Sequence, residues 1–118
     1  MAMAQGVKLP RVPEKQVQSA IVKLLRSLGA KVYVLGHPSP NDGRTFRGTA
    51  QTPGLPDLLV YLGKGLDELT VEVKARGGKL RPAQVEFEYL RRNAGQDHLV
   101  GGVDEVVAWL TAHGYLKG

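Results

Sequence analysis

Three residues with the chemistry of a hydrolytic site, Asp57, Glu72 and Lys74, lie close together in the sequence. Fourteen residues separate Asp57 from Glu72, and Lys74 follows two positions later. Side chains alternate between the two faces of a strand, so an extended segment would place Glu72 and Lys74 side by side. If the segment that begins at Asp57 pairs antiparallel with it, all three side chains converge. An isolated E-x-K pattern also occurs on the solvated face of ordinary strands, so Asp57 makes the pattern informative.

The two carboxylates would provide the hard oxygen ligands that Mg²⁺ or Mn²⁺ prefers. We expect Asp57 and Glu72 to bind this metal, with the backbone carbonyl of Val73 and water molecules completing the coordination. A bound divalent ion polarises a phosphodiester and lowers the pKa of an attacking water. Lys74 would orient that water or stabilise the charge that develops on the phosphate. The pattern therefore predicts metal-assisted phosphodiester hydrolysis, with Asp57, Glu72 and Lys74 as catalytic residues.

The overall charge favours a polyanionic partner. The 118 residues include 16 lysines and arginines against 11 acidic residues, which leaves a formal charge of +5 and a pI near 9.7. Basic proteins bind nucleic acid through phosphate contacts that release counterions, so DNA is the expected partner. Charge alone also fits an ordinary soluble protein. The length suits one domain with a modest core.

The absence of cysteine excludes disulfides, thiolate zinc sites and thiol nucleophiles. This composition suits a reducing cytoplasm, which we expect to be that of a bacterial or phage-infected cell. The N-terminal residues lack the apolar core of a signal peptide, and no apolar run approaches the ~20 residues needed to cross a bilayer. We therefore expect no association with a membrane.

Hydrophobic periodicity and turn residues indicate the elements that must position the site. A short glycine-rich turn favours a hairpin of the second and third strands. The predicted elements, in chain order, are a helix over Glu14–Leu28, strands over Lys31–Leu35, Asp57–Leu62 and Glu68–Ala75, a helix over Pro82–Asn93, a strand at Leu99 and Val100, and a helix capped by Asp104 that runs to His113. This α-β-β-β-α-β-α order predicts an α/β fold with a small mixed β-sheet flanked by helices.

Basic residues occur in two segments beside the predicted site. A long loop rich in Pro, Gly, Ser and Asn follows the first strand and contains Arg44 and Arg47, which predicts a substrate-facing flap. Arg76, Lys79 and Arg81 follow the catalytic strand, where a glycine pair supplies a flexible turn. We expect these residues to contact the DNA backbone rather than the bases. The second segment also fits an ordinary exposed basic loop.

The order and spacing of these residues resemble a known nuclease superfamily. The PD-x14-E-x-K pattern formed by Pro56, Asp57, Glu72 and Lys74 resembles the motif of the PD-(D/E)XK nucleases. More closely, the chain resembles the virus-type replication-repair nuclease domain, VRR-NUC, in the segments PEKQVQ, GLPDLLVYL, VEVKARGGKLRPAQ and GVDE. These segments span nearly all of the chain beyond a basic, flexible N-terminal arm of residues 1–12. The resemblance implies a restriction-endonuclease-like core and a single nuclease domain over residues 13–118.

The resemblance also implies roles for two further residues. Glu14 would join Asp57 and Glu72 around the metal, and Gln84 would lie at the edge of the site, where we expect it to contact DNA. Judged on the residues alone, Glu14 also fits a favourable interaction with the helix dipole. Gln84, early in its helix, also fits a solvated or capping role.

The resemblance implies a Mg²⁺- or Mn²⁺-dependent DNA nuclease that acts in replication, repair or recombination and cuts flaps or four-way junctions. Family members without extra domains are similar to symmetric Holliday junction resolvases, so we expect a homodimer with two active sites. Two alternatives stay open at this point. One is a non-catalytic DNA-binding module with the same fold, and the other is an RNA nuclease, because no residue pattern distinguishes deoxyribose from ribose.

Overall fold

The computed structural model describes residues 12–35 and 52–117. In these ranges the helices are α1 (Glu14–Ser27), α2 (Pro82–Asn93) and α3 (Val103–Ala112), and the strands are β1 (Lys31–Val34), β2 (Leu58–Leu62), β3 (Asp67–Val73) and β4 (Asp97–Gly101). A 3₁₀ turn at Gly63–Gly65 joins β2 to β3. The predicted α-β-β-β-α-β-α order is confirmed, with ends that differ by a few residues. None of the helices in these ranges is long and apolar enough to span a bilayer.

The strands form one mixed sheet in the order β1-β2-β3-β4. β1 pairs antiparallel with β2, β2 pairs antiparallel with β3, and β3 pairs parallel with β4. Parallel strands need a crossover connection, which α2 provides between β3 and β4. The predicted small mixed sheet is therefore confirmed, and β3, which carries Glu72, lies between two hydrogen-bonded neighbours.

Helices α1 and α3 cover one face of the sheet and form the hydrophobic core with it. The strands contribute the alternate residues that point to this face, such as Val60 and Val71, both completely buried. Ile21 and Leu25 from α1 and Leu110 from α3 meet them and are equally buried. Full burial of one such aliphatic side chain stabilises a fold by about 1.5–3 kcal/mol. This layer therefore holds β2 and β3 in place.

Helix α2 packs on the opposite, outer face of the sheet. The ring of Phe87 lies 5.4 Å from the ring of His98, with the two ring planes tilted. On this face the polar residues Thr70, Glu72 and His98 are each only 4% exposed. Strand β3 is thus covered on both sides, and the face that carries Glu72 is not the solvated surface of an ordinary strand.

The start of α3 differs from the prediction, since Asp104 is not its N-cap. Gly102 occupies the N-cap position, and its amide donates a hydrogen bond of 2.7 Å to Glu105 Oε1. The helix begins earlier because Glu105, three residues after the cap, satisfies the cap amide. At Gly101, φ is +148° and a Cβ would lie 2.5 Å from Glu105 Oε1, so only glycine fits where β4 turns into α3.

Candidate active site

Asp57 lies opposite Glu72 at the open end of the β2–β3 hairpin. The antiparallel register pairs Leu58 with Val71, and its continuation by one residue pairs Asp57 with Glu72 on the outer face. The Asp57 amide donates to the Val71 carbonyl at 3.0 Å, and Asp57 Oδ2 accepts the Val73 amide at 2.7 Å. The carboxyl groups of Asp57 and Glu72 lie close enough to act on each other. Strand pairing therefore brings together two acids that fourteen residues separate in the sequence.

The surroundings of Glu72 favour its protonated form. Burial, followed by the charge of Asp57 and the hydrogen bond with it, raises the pKa of Glu72 to about 8. The ammonium of Lys74 acts in the opposite direction, and the charge of Glu14 raises the pKa further. Burial disfavours a charged carboxylate, and a second carboxylate adds repulsion. Near neutral pH and without a cation, the acidic pair therefore retains a proton.

One oxygen of Glu72, Oε2, is approached by both Lys74 and Gln84. Lys74 Nζ lies 3.8 Å from it, and Gln84 Nε2 donates a hydrogen bond of 3.0 Å to it. Gln84 is itself oriented by Arg81, whose amide donates to Gln84 Oε1 at 2.7 Å. These contacts attach the first turn of α2 to the acidic pair. The contact of Gln84 with DNA stays a prediction, since its amide group bonds within the protein.

Glu14 is the first residue of α1 and is exposed. Its charge acts on Glu72, so α1 presents a further carboxylate toward the acidic pair. Among the described residues, no group of three or more His, Cys, Asp or Glu side chains is arranged to hold a metal ion. The structure brings Asp57 and Glu72 into direct contact and leaves Glu14 farther away. The roles of Glu14 and of the Val73 carbonyl as metal ligands stay predictions.

Arg76, Lys79 and Arg81 are exposed along the connection between β3 and α2. None of the three forms an ion pair with a carboxylate in the described part of the chain. Lys74 and Arg76 also line a cleft between α1 and the start of α3. Within the described residues, cations that form no ion pair therefore follow the site residues directly along the chain. The contacts of Arg76, Lys79 and Arg81 with DNA stay predictions.

The long connection between β1 and β2 includes Arg44 and Arg47, which lie outside the described residues. Their contacts with DNA therefore stay predictions. In the described end of this connection, Gly54 has a φ of +91°, and a Cβ there would lie 2.4 Å from the carbonyl oxygen of Ala83. Only glycine allows so close an approach to a backbone carbonyl. It packs the segment before Asp57 against the first turn of α2.

A second group of side chains on the outer face is not evident from the sequence. The ring centres of Tyr33 and Tyr61 lie 6.4 Å apart with their planes at 87°, and Lys31 Nζ lies 5.4 Å from the centre of the Tyr33 ring. Alternation in the segment KVYV places Lys31 and Tyr33 on one face. Only the strand register, which pairs Lys31 with Tyr61, brings the second ring beside them.

The fold is shared with a domain of known structure. No protein-family model and no curated protein matches this chain. A solved structure described as a VRR_NUC domain is similar to it, with 31% sequence identity and a TM-score of 0.61. The similarity covers 85% of this chain and 95% of that one. Because sequence and fold agree over nearly the whole of that domain, the chain belongs to the VRR-NUC family of nuclease domains.

Proposed function

We propose that this chain is a metal-dependent nuclease that hydrolyses DNA phosphodiester bonds, with Asp57, Glu72 and Lys74 as its catalytic residues. The pairing of Asp57 with Glu72 across the β2–β3 hairpin carries this proposal. Two adjoining carboxyl groups repel each other once both are ionised, and burial of Glu72 increases that cost. An arrangement that opposes folding in this way is expected at a site that binds a cation.

The acidic pair has the donor set that Mg²⁺ or Mn²⁺ requires. Mg²⁺ is commonly held by one or two carboxylates and keeps several of its water ligands. Asp57 and Glu72 would supply the carboxylates, and Glu14 and the Val73 carbonyl would complete the protein ligands. When bound, the ion supplies a Lewis acid that polarises the phosphodiester and lowers the pKa of water.

The neighbouring side chains would position and stabilise the reacting groups. Lys74 carries its ammonium 3.8 Å from Glu72 Oε2 and would stabilise negative charge that develops on the phosphate, or orient the attacking water. Gln84 restrains the Glu72 carboxylate through its hydrogen bond. Loss of one donor from such a preorganised site costs roughly 10²–10³ in rate.

The exposed cations beside the site would bind the DNA backbone. Arg76, Lys79 and Arg81 follow the catalytic strand directly, and Arg44 and Arg47 would contribute from the long connection. Such contacts position a duplex without reading its sequence. We further propose that the substrate is branched or flapped DNA of replication, repair or recombination. A homodimer would cut both strands of a symmetric junction, because each copy contributes one site.

Cleavage of end-labelled substrates tests this function. The pure protein is incubated with four-way junction, flap, blunt duplex and single-stranded DNA, and with RNA, in Mg²⁺, Mn²⁺ or chelator. We expect metal-dependent cleavage that is strongest on branched DNA. Glu72→Gln should abolish it, whereas Glu86→Gln, which changes an exposed acid on α2, should leave it intact.

The other outcomes identify the alternatives. Salt-sensitive DNA binding without cleavage would indicate a non-catalytic binding module. Preferential cleavage of RNA would indicate an RNA nuclease. Sedimentation equilibrium decides the assembly, since a single species near 12.8 kDa, with or without DNA, would exclude the homodimer.

A further inference from the structure

We propose that the open part of the outer sheet face binds an unpaired strand of the DNA substrate by base stacking. This surface, the aromatic face, consists of Lys31, Tyr33, Leu59 and Tyr61. The inference rests on the proposed nuclease function, because it assigns a place to a strand that leaves the acidic pair. It adds to that function a ligand class, unpaired bases, and the residues that would contact them.

The aromatic face and the acidic pair lie on the same side of the sheet. Paired residues of neighbouring strands project to the same side, and the register pairs Tyr33 with Leu59 and Leu59 with Thr70. Leu59 follows Asp57 by two residues, and Thr70 precedes Glu72 by two residues. At about 3.3 Å per residue, Tyr33 is displaced about 7 Å from the acids along the strand direction, and it lies one strand away from Asp57 across the sheet. An unpaired DNA strand that leaves the acidic pair in this direction reaches the Tyr33 ring before the Tyr61 ring.

In the described part of the chain, this surface is open. Helix α2 packs against β4, at one edge of the sheet. Strand β1 lies at the opposite edge, and its Tyr33 is 46% exposed. Leu59 and Tyr61 on the adjoining strand are half-buried. On α2, Leu90 is 58% exposed. Within residues 12–35 and 52–117, an apolar and aromatic surface is therefore accessible next to the site.

The aromatic rings are held in defined orientations. The Tyr61 hydroxyl lies beside the carboxylate of Glu68, which accepts a hydrogen bond of 2.9 Å from Arg91. The rings of Tyr33 and Tyr61 then pack edge to face. A ring that is already restrained loses little conformational freedom when a base stacks on it. Every base has a π face, so such a surface accepts unpaired bases of any sequence.

The charges on this surface fit a phosphate backbone. Lys31 is exposed, and within residues 12–35 and 52–117 it forms no ion pair with a carboxylate. Its ammonium can turn from the Tyr33 ring to a phosphate when a base occupies the ring. Glu68, the acid beside Tyr61, is neutralised by Arg91. A duplex keeps its bases stacked inside, so only unpaired bases can use the rings.

Binding of fluorescein-labelled oligothymidine of about twelve nucleotides tests this inference. The measurement is made in chelator, so that no strand is cut. Tyr33→Leu removes the π face but keeps an apolar side chain, Tyr33→Phe keeps the ring, and Tyr89→Leu removes a tyrosine that is 63% exposed on α2. We expect Tyr33→Leu to raise the Kd for oligothymidine by about 5- to 150-fold, the loss expected for one stacked base. Tyr33→Phe and Tyr89→Leu should stay within about twofold of the parent, and binding of a blunt duplex should not change.

Two results would overturn the assignment. One is the absence of a selective effect: Tyr33→Leu binds oligothymidine with the Kd of the parent, or it loses duplex binding as much as oligothymidine binding. The other is a lower mass for Tyr33→Leu, but not Tyr89→Leu, in sedimentation equilibrium, because the face would then join two copies of the chain. Melting curves establish whether each variant folds. If Tyr33→Leu does not fold, Tyr61→Leu is used in its place.

Cleavage of the blunt duplex with Mn²⁺ separates this inference from the nuclease function. If the parent cuts the duplex and Tyr33→Leu still binds oligothymidine normally, only the aromatic face is rejected. If Tyr33→Leu loses oligothymidine binding while the parent cuts no substrate, only the nuclease function is rejected.

Discussion

Gln84 donates a hydrogen bond of 3.0 Å to Oε2 of Glu72 and so connects the first turn of α2 to the acidic pair. The other end of its amide group accepts the Arg81 amide, so the side chain is restrained from both directions. The position of Glu72 therefore depends on a residue from a different element. Outer residues of this kind commonly tune metal ligands without touching the metal.

Gln84→Ala should raise the Mn²⁺ concentration required for half-maximal cleavage by about 10- to 100-fold, because an unrestrained Glu72 binds the ion less well. The measurement is the Mn²⁺ concentration that gives half-maximal cleavage, together with the maximal rate. Gln96→Ala, which changes an exposed glutamine after α2, is the control. An unchanged Mn²⁺ requirement in Gln84→Ala would show that the hydrogen bond does not position Glu72.

Lys74→Ala should lower cleavage by about 10²–10³, since it removes one donor from a preorganised site. Its affinity for DNA and its melting temperature should stay close to those of the parent. Lys79→Ala is the matched variant, because it removes an exposed lysine from the neighbouring connection. It should weaken DNA binding and reduce its salt dependence without lowering the rate at saturating DNA. Cleavage by Lys74→Ala within threefold of the parent, a much smaller loss than a lost donor causes, would remove Lys74 from the mechanism.

Local rules were sufficient to predict how the acidic pair forms. Alternation along β3 places Glu72 and Lys74 on one face, and a hairpin with a short turn brings Asp57 beside Glu72. The burial of Glu72 could not be predicted in this way. It depends on α2 returning over the strand and donating Gln84 to it, and this tertiary packing leaves no periodic pattern in the strand itself.

Two kinds of feature were not predicted from the sequence: a choice between neighbouring residues that suit the same role, and contacts that depend on the register between strands. Asp104 and Glu105 are both suitable near a helix start, and only the geometry of the turn shows that Glu105 satisfies the cap amide. Tyr33 and Tyr61 are far apart in the chain, and they meet because of the pairing between β1 and β2. The family resemblance suggested Gln84, whereas the residue alone fitted several ordinary roles.

The raised pKa of Glu72 predicts that the metal-free protein loses stability as the pH rises. The unfolded chain releases this proton near pH 4.5, whereas the folded protein retains it up to about pH 8. Between these values the folded state binds more protons, so the free energy of unfolding falls with rising pH and then levels off above about pH 8. One proton corresponds to at most about 1.4 kcal/mol per pH unit.

Urea unfolding in chelator across this pH range, for the parent and for Glu72→Gln, measures the effect. The difference in stability between the two proteins should shift in favour of Glu72→Gln as the pH rises. Glu86→Gln, on the exposed side of α2, should run parallel to the parent. A constant difference between Glu72→Gln and the parent would show that Glu72 titrates normally in the folded protein.

His98 should produce the opposite dependence at acid pH. Burial lowers its pKa from 6.5 to about 4, with Arg92 and Arg91 acting in the same direction and Glu88 against it. The neutral ring is held by Thr70, whose Oγ1 lies 2.8 Å from His98 Nδ1. Below pH 6.5 the unfolded chain binds a proton at His98 that the folded protein does not bind. The contribution of His98 to the free energy of unfolding is therefore complete above pH 6.5 and is lost as the pH falls toward 4.

His98→Phe should therefore lose less stability than the parent when the pH falls through this range, whatever its stability at neutral pH. The ring of Phe87 already contacts this position, so an apolar ring can be accommodated. His113→Gln removes the other histidine of the described residues, whose Nε2 lies 3.5 Å from Asp97 Oδ2, and so separates its contribution to the acid profile from that of His98. Parallel acid profiles for His98→Phe and the parent would contradict the prediction.

Asp57→Asn keeps the shape of the side chain but removes one charge from the acidic pair, so its metal-free form should melt no lower than the parent. In the parent, a cation that binds only the folded state adds RT ln(1 + [L]/Kd) to its stability, about 1.4 kcal/mol at roughly ten times the Kd. For a domain of this size that amounts to a few degrees in Tm. Asp57→Asn should lose most of this Mn²⁺-dependent increase and should cut no DNA.

Melting curves in chelator and in Mn²⁺ for the parent, Asp57→Asn and Asp104→Asn test this expectation. Asp104 is an exposed acid in the first turn of α3, so its variant should keep the full Mn²⁺ shift. Repulsion between Asp57 and Glu72 opposes folding only while no cation is bound. Asp57→Asn therefore removes this repulsion from the metal-free protein, and it removes a ligand from the metal-bound protein. If the parent shows no shift, or if Asp57→Asn keeps it, Asp57 is not a metal ligand, and the paired carboxylates have some purpose other than metal-dependent hydrolysis.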